Sequence, residues 1–172
     1  MKKELGVNPY LFPMPMLMIA TYGDNEVVDV MNTAWGGICA ENMVSLNIGE
    51  NHKTSENIIK KRGAFTLSIA DIPHIEAADF FDIASGNNMT DKFERSGLTA
   101  WKSEKVDAPI VEEFPLTLER KVIEDKKEVY DHHIIGEIVG VLAEKSVLEE
   151  NGNVDAAKLN AFAFDPFRSG YY

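Results

Sequence analysis

The 172-residue chain has one cysteine, Cys39. An intrachain disulfide is therefore excluded, as is a cysteine-only metal site within one chain. This fits a reducing compartment. Basic residues are scarce too: 17 Lys and Arg stand against 28 Asp and Glu, for a formal charge of −11. Recognition of a nucleic acid backbone needs clustered Lys and Arg to displace counterions, so that class is set aside. The same charge disfavours an anionic membrane surface. Long apolar runs are missing, and no stretch reaches the ~20 residues that span a bilayer. Tyr10 to Ala20, behind Lys2 and Lys3, faintly suggests a signal peptide. Pro13 and Pro15 interrupt it, Glu4 sits in the would-be basic region, and no small-residue cleavage pattern follows. The expectation is a soluble, cytoplasmic chain. Proline and glycine counts are modest, 7 and 12, and 45% of residues are hydrophobic, which rules out disordered and fibrous classes. The length suits a single domain, 1–172, with a real core.

What is present reads as mostly strands. Met16 to Tyr22 is an apolar run, Gly23-Asp24-Asn25 supplies turn chemistry, and Val27 to Met31 answers it, so a hairpin is expected. Gly36-Gly37 breaks the pattern before a third strand, Met43 to Ile48. Thr54 to Arg62 reads as a short helix with Thr54 at the N-cap, Lys60, Lys61 and Arg62 in its last turn and Gly63 as the stop. Ala64 to Ala70 alternates Phe65, Leu67 and Ile69 with polar residues, a strand with one buried face. Pro73 opens a second helix carrying Ile75, Ala78 and Phe81, and a short helical piece follows around Asp91 to Arg95. In the last third, Leu116, Leu118 and Val122 alternate with polar residues. Ile134 to Leu142 forms a long strand with Gly136 and Gly140 as bend or bulge points, and Asn160 to Phe164 ends the fold. The class is mainly β with short helices, an antiparallel barrel with helical insertions.

A phosphate site on so acidic a chain must be a local concentration of positive potential. The start of the 54–62 helix offers one: unpaired N–H groups and a positive dipole end favour an anion there, Lys53 adds a charge, and His52 adds a donor. The plainer alternative has Thr54 as a cap and Lys53 as a solvated surface residue. Asn32-Thr33-Ala34-Trp35 follows a strand and precedes the glycine pair. Asn, Thr and exposed N–H groups can bond a ring edge or a phosphate, and Trp offers a flat wall. Alone, the segment equally reads as a polar strand end with a core tryptophan.

The ordered set of motifs adds a resemblance. Asn8-Pro9-Tyr10-Leu11-Phe12-Pro13-Met14-Pro15 leads into the first strand, and Met31 to Ile38 follows its hairpin. Then come Asn57-Ile58 behind Thr54, Asp91-Lys92-Phe93 with Gly97-Leu98-Thr99, Val106-Asp107-Ala108-Pro109 and Glu112-Glu113-Phe114-Pro115-Leu116. Ile135-Gly136-Glu137-Ile138 after a histidine and a terminal Tyr171-Tyr172 complete it. In this order they resemble the flavin reductase-like family, and its flavoredoxin-type members, over nearly the whole chain.

The resemblance implies an FMN-binding antiparallel split β-barrel, usually a homodimer, acting as a flavin-dependent oxidoreductase. NADH or NADPH, or a small-molecule or protein redox partner, supplies the electrons. It implies that Asn32, Thr33, Ala34 and Trp35 contact flavin and ribityl chain, and that Asn47 and Ile48 line the next strand. His52, Lys53 and Thr54 then hold the phosphate, and Lys92 is a second cationic contact or a solvated loop lysine. Gly49 stands where relatives often carry a basic residue, which shifts phosphate load to Lys53, and relatives commonly continue past Tyr172 with a glycine-rich tail. A non-catalytic module binding FMN or another ligand is the alternative. No catalytic residue is assigned and no metal cluster is expected. His132 and His133 point to opposite faces of a strand and read as structural. Cys39 reads as a small buried hydrophobe, and Asp79 and Asp82 as solvated faces.

Overall fold

The computed structural model describes the backbone of residues 1–172 and all side chains except those of residues 60 and 61. The expected last-turn side chains of Lys60 and Lys61 therefore lie outside the described residues. Strands dominate. β1 (Met14–Pro15) and β2 (Leu17–Tyr22) precede β3 (Val28–Thr33), β4 (Gly36–Ala40) and β5 (Met43–Gly49). Helix α1 (Lys53–Glu56) runs on as a wider π-helical stretch, Asn57–Arg62, into β6 (Ala64–Ile69). Helices α2 (Ile75–Ile83) and α3 (Lys92–Ser96) come next, then β7 (Ala100–Lys102), β8 (Pro109–Val111), β9 (Leu116–Lys127) and β10 (Asp131–Ala143). Helix α4 (Ala156–Leu159), β11 (Ala163–Asp165) and β12 (Gly170–Tyr171) complete the chain.

Seven strands form the main sheet in the order β3-β2-β6-β9-β10-β5-β4, and every pair is antiparallel. Its two outermost strands, β3 and β4, are consecutive in the chain and joined only by Ala34 and Trp35. The sheet must therefore curl until its edges meet, and the result is a barrel. Gly36 records that closure. A Cβ there would lie 2.6 Å from Leu46 Cδ2, 2.8 Å from the Ser45 carbonyl and 3.1 Å from Leu17 Cδ1, atoms from both sides of the seam.

The continuous apolar run of β2 follows from its position, because both of its faces are covered. Leu17 and Ile19 point into the barrel with Leu46, Ile48, Phe65 and Ile134. Met16, Met18 and Ala20 face a second core with Ala78, Phe81 and Phe93 of the helical layer. Gly136 and Gly140 sit at the two register shifts of the β9–β10 pair, where bulges were expected. Gly63 stops the α1 run in the left-handed region (φ 61°), its N–H donating to the Ile58 carbonyl at 2.8 Å.

Three expectations are corrected. Gly36-Gly37 does not break the sheet but opens β4, because β5 supplies a ladder from Gly36↔Leu46 to Ala40↔Met43. Asn160 to Phe164 is not one strand: Asn160 takes a left-handed turn (φ 50°) after α4, and β11 begins at Ala163. Cys39 is exposed rather than buried, as are its β4 neighbours Ile38 and Ala40.

Candidate functional site

The corner between β3 and β4 is locked by its own residues. The Trp35 N–H donates to Thr33 Oγ1 at 3.1 Å, and the Asn47 N–H donates to the Trp35 carbonyl at 2.8 Å. Thr33 and Ala34 are buried by this arrangement, whereas the Trp35 ring remains 52% exposed. Asn32 is buried, and its amide donates to the Ala78 carbonyl at 2.9 Å, tying β3 to α2. Strand alternation divides the next pair. Asn47 faces outward and shares a 2.9 Å hydrogen bond between its Oδ1 and His133 Nδ1. Ile48 is 1% exposed and belongs to the barrel core, so only its backbone borders the surface.

β5 leads into a tight turn in which the His52 N–H donates to the Gly49 carbonyl at 3.2 Å and the Ser55 hydroxyl donates to the same oxygen at 2.7 Å. The helix starts at Lys53, with His52 in the capping position and making no side-chain cap bond. This corrects the assignment of Thr54 as the cap. Thr54 is turned inward because an acceptor waits there: its hydroxyl donates to Asp29 Oδ2 at 2.6 Å. The first N–H groups of an α-helix have no partner within the helix, and His52 offers them no side-chain cap.

Lys92 is not a solvated loop lysine. It is 3% exposed in α3, with its Nζ 2.9 Å from Asp29 Oδ1. Met31, His52, Lys53, Thr54, Ser85 and Lys92 border one cleft, so β3, the α1 start and α3 are brought together. Lys53 stands at its edge and pairs with Glu56 at 3.0 Å. Gly86 and Lys53 also border a neighbouring cleft floored by Asn57 and walled by Val28 and Met89. Asp82 lies on the wall of the first cleft. Burial, then the nearby Asp79, push its carboxyl above the usual range. Asp79 accepts a 2.8 Å hydrogen bond from the Tyr171 hydroxyl, so neither acid is simply a solvated face.

The predicted residues thus form two groups. Trp35 and Asn47 meet at the barrel corner, and His52, Lys53, Thr54 and Lys92 meet at the helix start. His132 reaches the other way, to Asp125 at 2.8 Å, and joins neither group. Sequence reasoning missed Asp29, the residue around which the second group is built. Its signal was legible: a lone acid within the apolar stretch Val27-Val28-Asp29-Val30-Met31. Among the described residues, no group of three or more His, Cys, Asp or Glu is placed to hold a metal ion. No described helix is long and apolar enough to cross a membrane.

Comparison with known proteins bears on the family and the fold. Residues 10–159 match the model of the flavin reductase like domain. The flavoredoxin of Desulfovibrio vulgaris (Miyazaki F) superposes with a TM-score of 0.94 at 36% identity, covering 100% of this chain and 92% of that one. A flavoredoxin from Methanosarcina acetivorans gives 0.87 at 20% identity over 99% and 91% of the two chains. An FMN-binding protein from Thermus thermophilus, solved with bound 1-cyclohex-2-enone, gives 0.78 at 16% over 100% and 94%. The last two likenesses speak for the fold, a split barrel.

Proposed function

The chain belongs to the flavin reductase like domain family, and from that premise we propose that it is an FMN-binding redox protein of flavoredoxin or NAD(P)H:flavin oxidoreductase type. One observation carries this reading. The half-exposed Trp35 is bonded through its backbone carbonyl to the Asn47 N–H, on the strand that leads into the turn before the Lys53 helix start. An exposed apolar ring tied to Asn47 and a cationic helix start further along the same stretch of chain suit a ligand with a flat ring at one end and an anion at the other.

The donor set fits FMN. Trp35 offers the flat wall, and the Asn47 amide, positioned by His133, offers hydrogen bonds at a polar ring edge. Lys53, His52 and the first N–H groups of the helix would hold the phosphate. Thr54 and Lys92 shape the wall, their polar atoms being engaged by Asp29. When bound, FMN supplies the hydride or electron chemistry, and the protein's part is binding, orientation and exclusion of water. The flavoredoxin likeness supports this reading. The proposal extends to a cytoplasmic homodimer that takes electrons from NADH, NADPH or a protein partner. Purified protein is expected to be yellow and to bleach on addition of NADH or dithionite. A colourless preparation that takes up no FMN on reconstitution overturns the reading.

A further inference from the structure

Asp29 is the second residue of β3 and is 5% exposed. One carboxylate oxygen accepts the Thr54 hydroxyl at 2.6 Å, and the other lies 2.9 Å from the Lys92 ammonium. Thr54 and Lys92 are themselves 1% and 3% exposed. Gly86 closes a further side: a Cβ there would come within 2.5 Å of Asp29 Oδ1 and 3.1 Å of Lys53 Cβ. A strand, two helices and a loop therefore converge on one carboxylate. Burying an ammonium this far requires a counter-charge, and Asp29 is that counter-charge.

Thr54 and Lys92 also border the cleft that Lys53 overlooks, so they are the side chains an incoming phosphate would use. We infer that Asp29 sets the affinity of this cleft for phosphorylated flavin. It occupies the Thr54 hydroxyl and cancels the Lys92 charge, leaving the phosphate to Lys53 and backbone N–H groups. Lys53 in turn shares its charge with Glu56. Asp29 thereby keeps the flavin exchangeable. This inference rests on reading the cleft as the phosphate end of the FMN site.

The test titrates native protein and Asp29→Asn, each stripped of flavin, with FMN and with riboflavin, which lacks the phosphate, following quenching of flavin fluorescence. Asp29→Asn is expected to bind FMN about tenfold more tightly, with a steeper salt dependence, and riboflavin within about twofold of native. Adding Lys92→Met to Asp29→Asn is expected to abolish that gain. Asp29→Ser, a smaller neutral replacement that still offers Thr54 an acceptor, is expected to shift FMN binding in the same direction, and a thermal melt of each variant checks the fold. The inference is overturned if FMN binding by the folded variants is unchanged or weaker, or if FMN and riboflavin move together. Native protein that binds neither flavin overturns the functional reading itself, a result distinct from the other two.

Discussion

Arg120 is the residue whose surroundings least resemble its chemistry. It is fully buried on the face of β9 that also carries Leu118 and Val122 into the barrel. Its Nη1 donates to the Gly136 carbonyl at 3.3 Å, while Nε and Nη2 have no partner among the described residues. Burial pulls its pKa down to about 10, so the charge persists at neutral pH at a cost in desolvation. Met has similar reach and no charge. Arg120→Met is expected to leave stability unchanged or raise it by about 1–3 kcal/mol, read as a shift in the urea midpoint at constant slope. A loss of stability would mean that the guanidinium is held by groups other than Gly136. The contrast with Asp29 is instructive: both interrupt an apolar face, but Asp29 has two charge-complementary or hydrogen-bonding partners and holds a site together. Neither role was assigned from the sequence, since a charged residue within an apolar strand announces an exception without naming its partner.

At the scale of elements, the proposed site depends on the seam between β3 and β4. The two-residue link Ala34-Trp35 turns the chain from one sheet edge to the other, and Gly36 allows the edges to touch. Leu46 Cδ2 is the end of a flexible side chain and can move, but the Ser45 carbonyl is backbone and cannot. Gly36→Ala is therefore expected to destabilise the protein by about 1–3 kcal/mol through overpacking, measured by thermal or urea unfolding. Because Trp35 adjoins the seam, the same variant is expected to weaken FMN binding, whereas Gly37→Ala, which meets nothing within 4 Å, leaves both unchanged. Much of this level was legible in advance. The hairpin of β2 and β3, the strand β6, the helix stop at Gly63 and the bulges at Gly136 and Gly140 all follow from periodicity and turn chemistry. β4 was not, because a Gly-Gly start carries no strand pattern and its only warrant is the neighbouring β5 ladder. Thr54 was misplaced as a cap for a related reason. Its local chemistry favours capping, yet a buried acceptor 25 positions away in sequence outcompetes the helix end.

At the scale of the whole molecule, the two larger cores share the main sheet, one inside the barrel and one beneath the helices, and the proposed site draws on both the helical layer and the barrel corner. An exchangeable flavin and a permanently held one predict different kinetics on this scaffold. If Asp29 limits retention, NADH oxidation is expected to rise with added free FMN and to saturate. A rate insensitive to free FMN would instead mark a fixed carrier. The sequence by itself determined the class, the strand-rich layout and the residues Trp35, Asn47, Lys53 and Lys92 as candidates, because periodicity, turn residues and motif order are written along the chain. The tertiary structure alone decided which polar atoms those candidates keep available. Strand alternation sends Ile48 inward and Asn47 outward, and sheet closure places Trp35 in the open. The meeting of β3 with α1 and α3 commits Thr54 and Lys92 to Asp29. Hydrogen bonds and ion pairs act over a few ångströms, and only folding brings residues so far apart in the chain within that range.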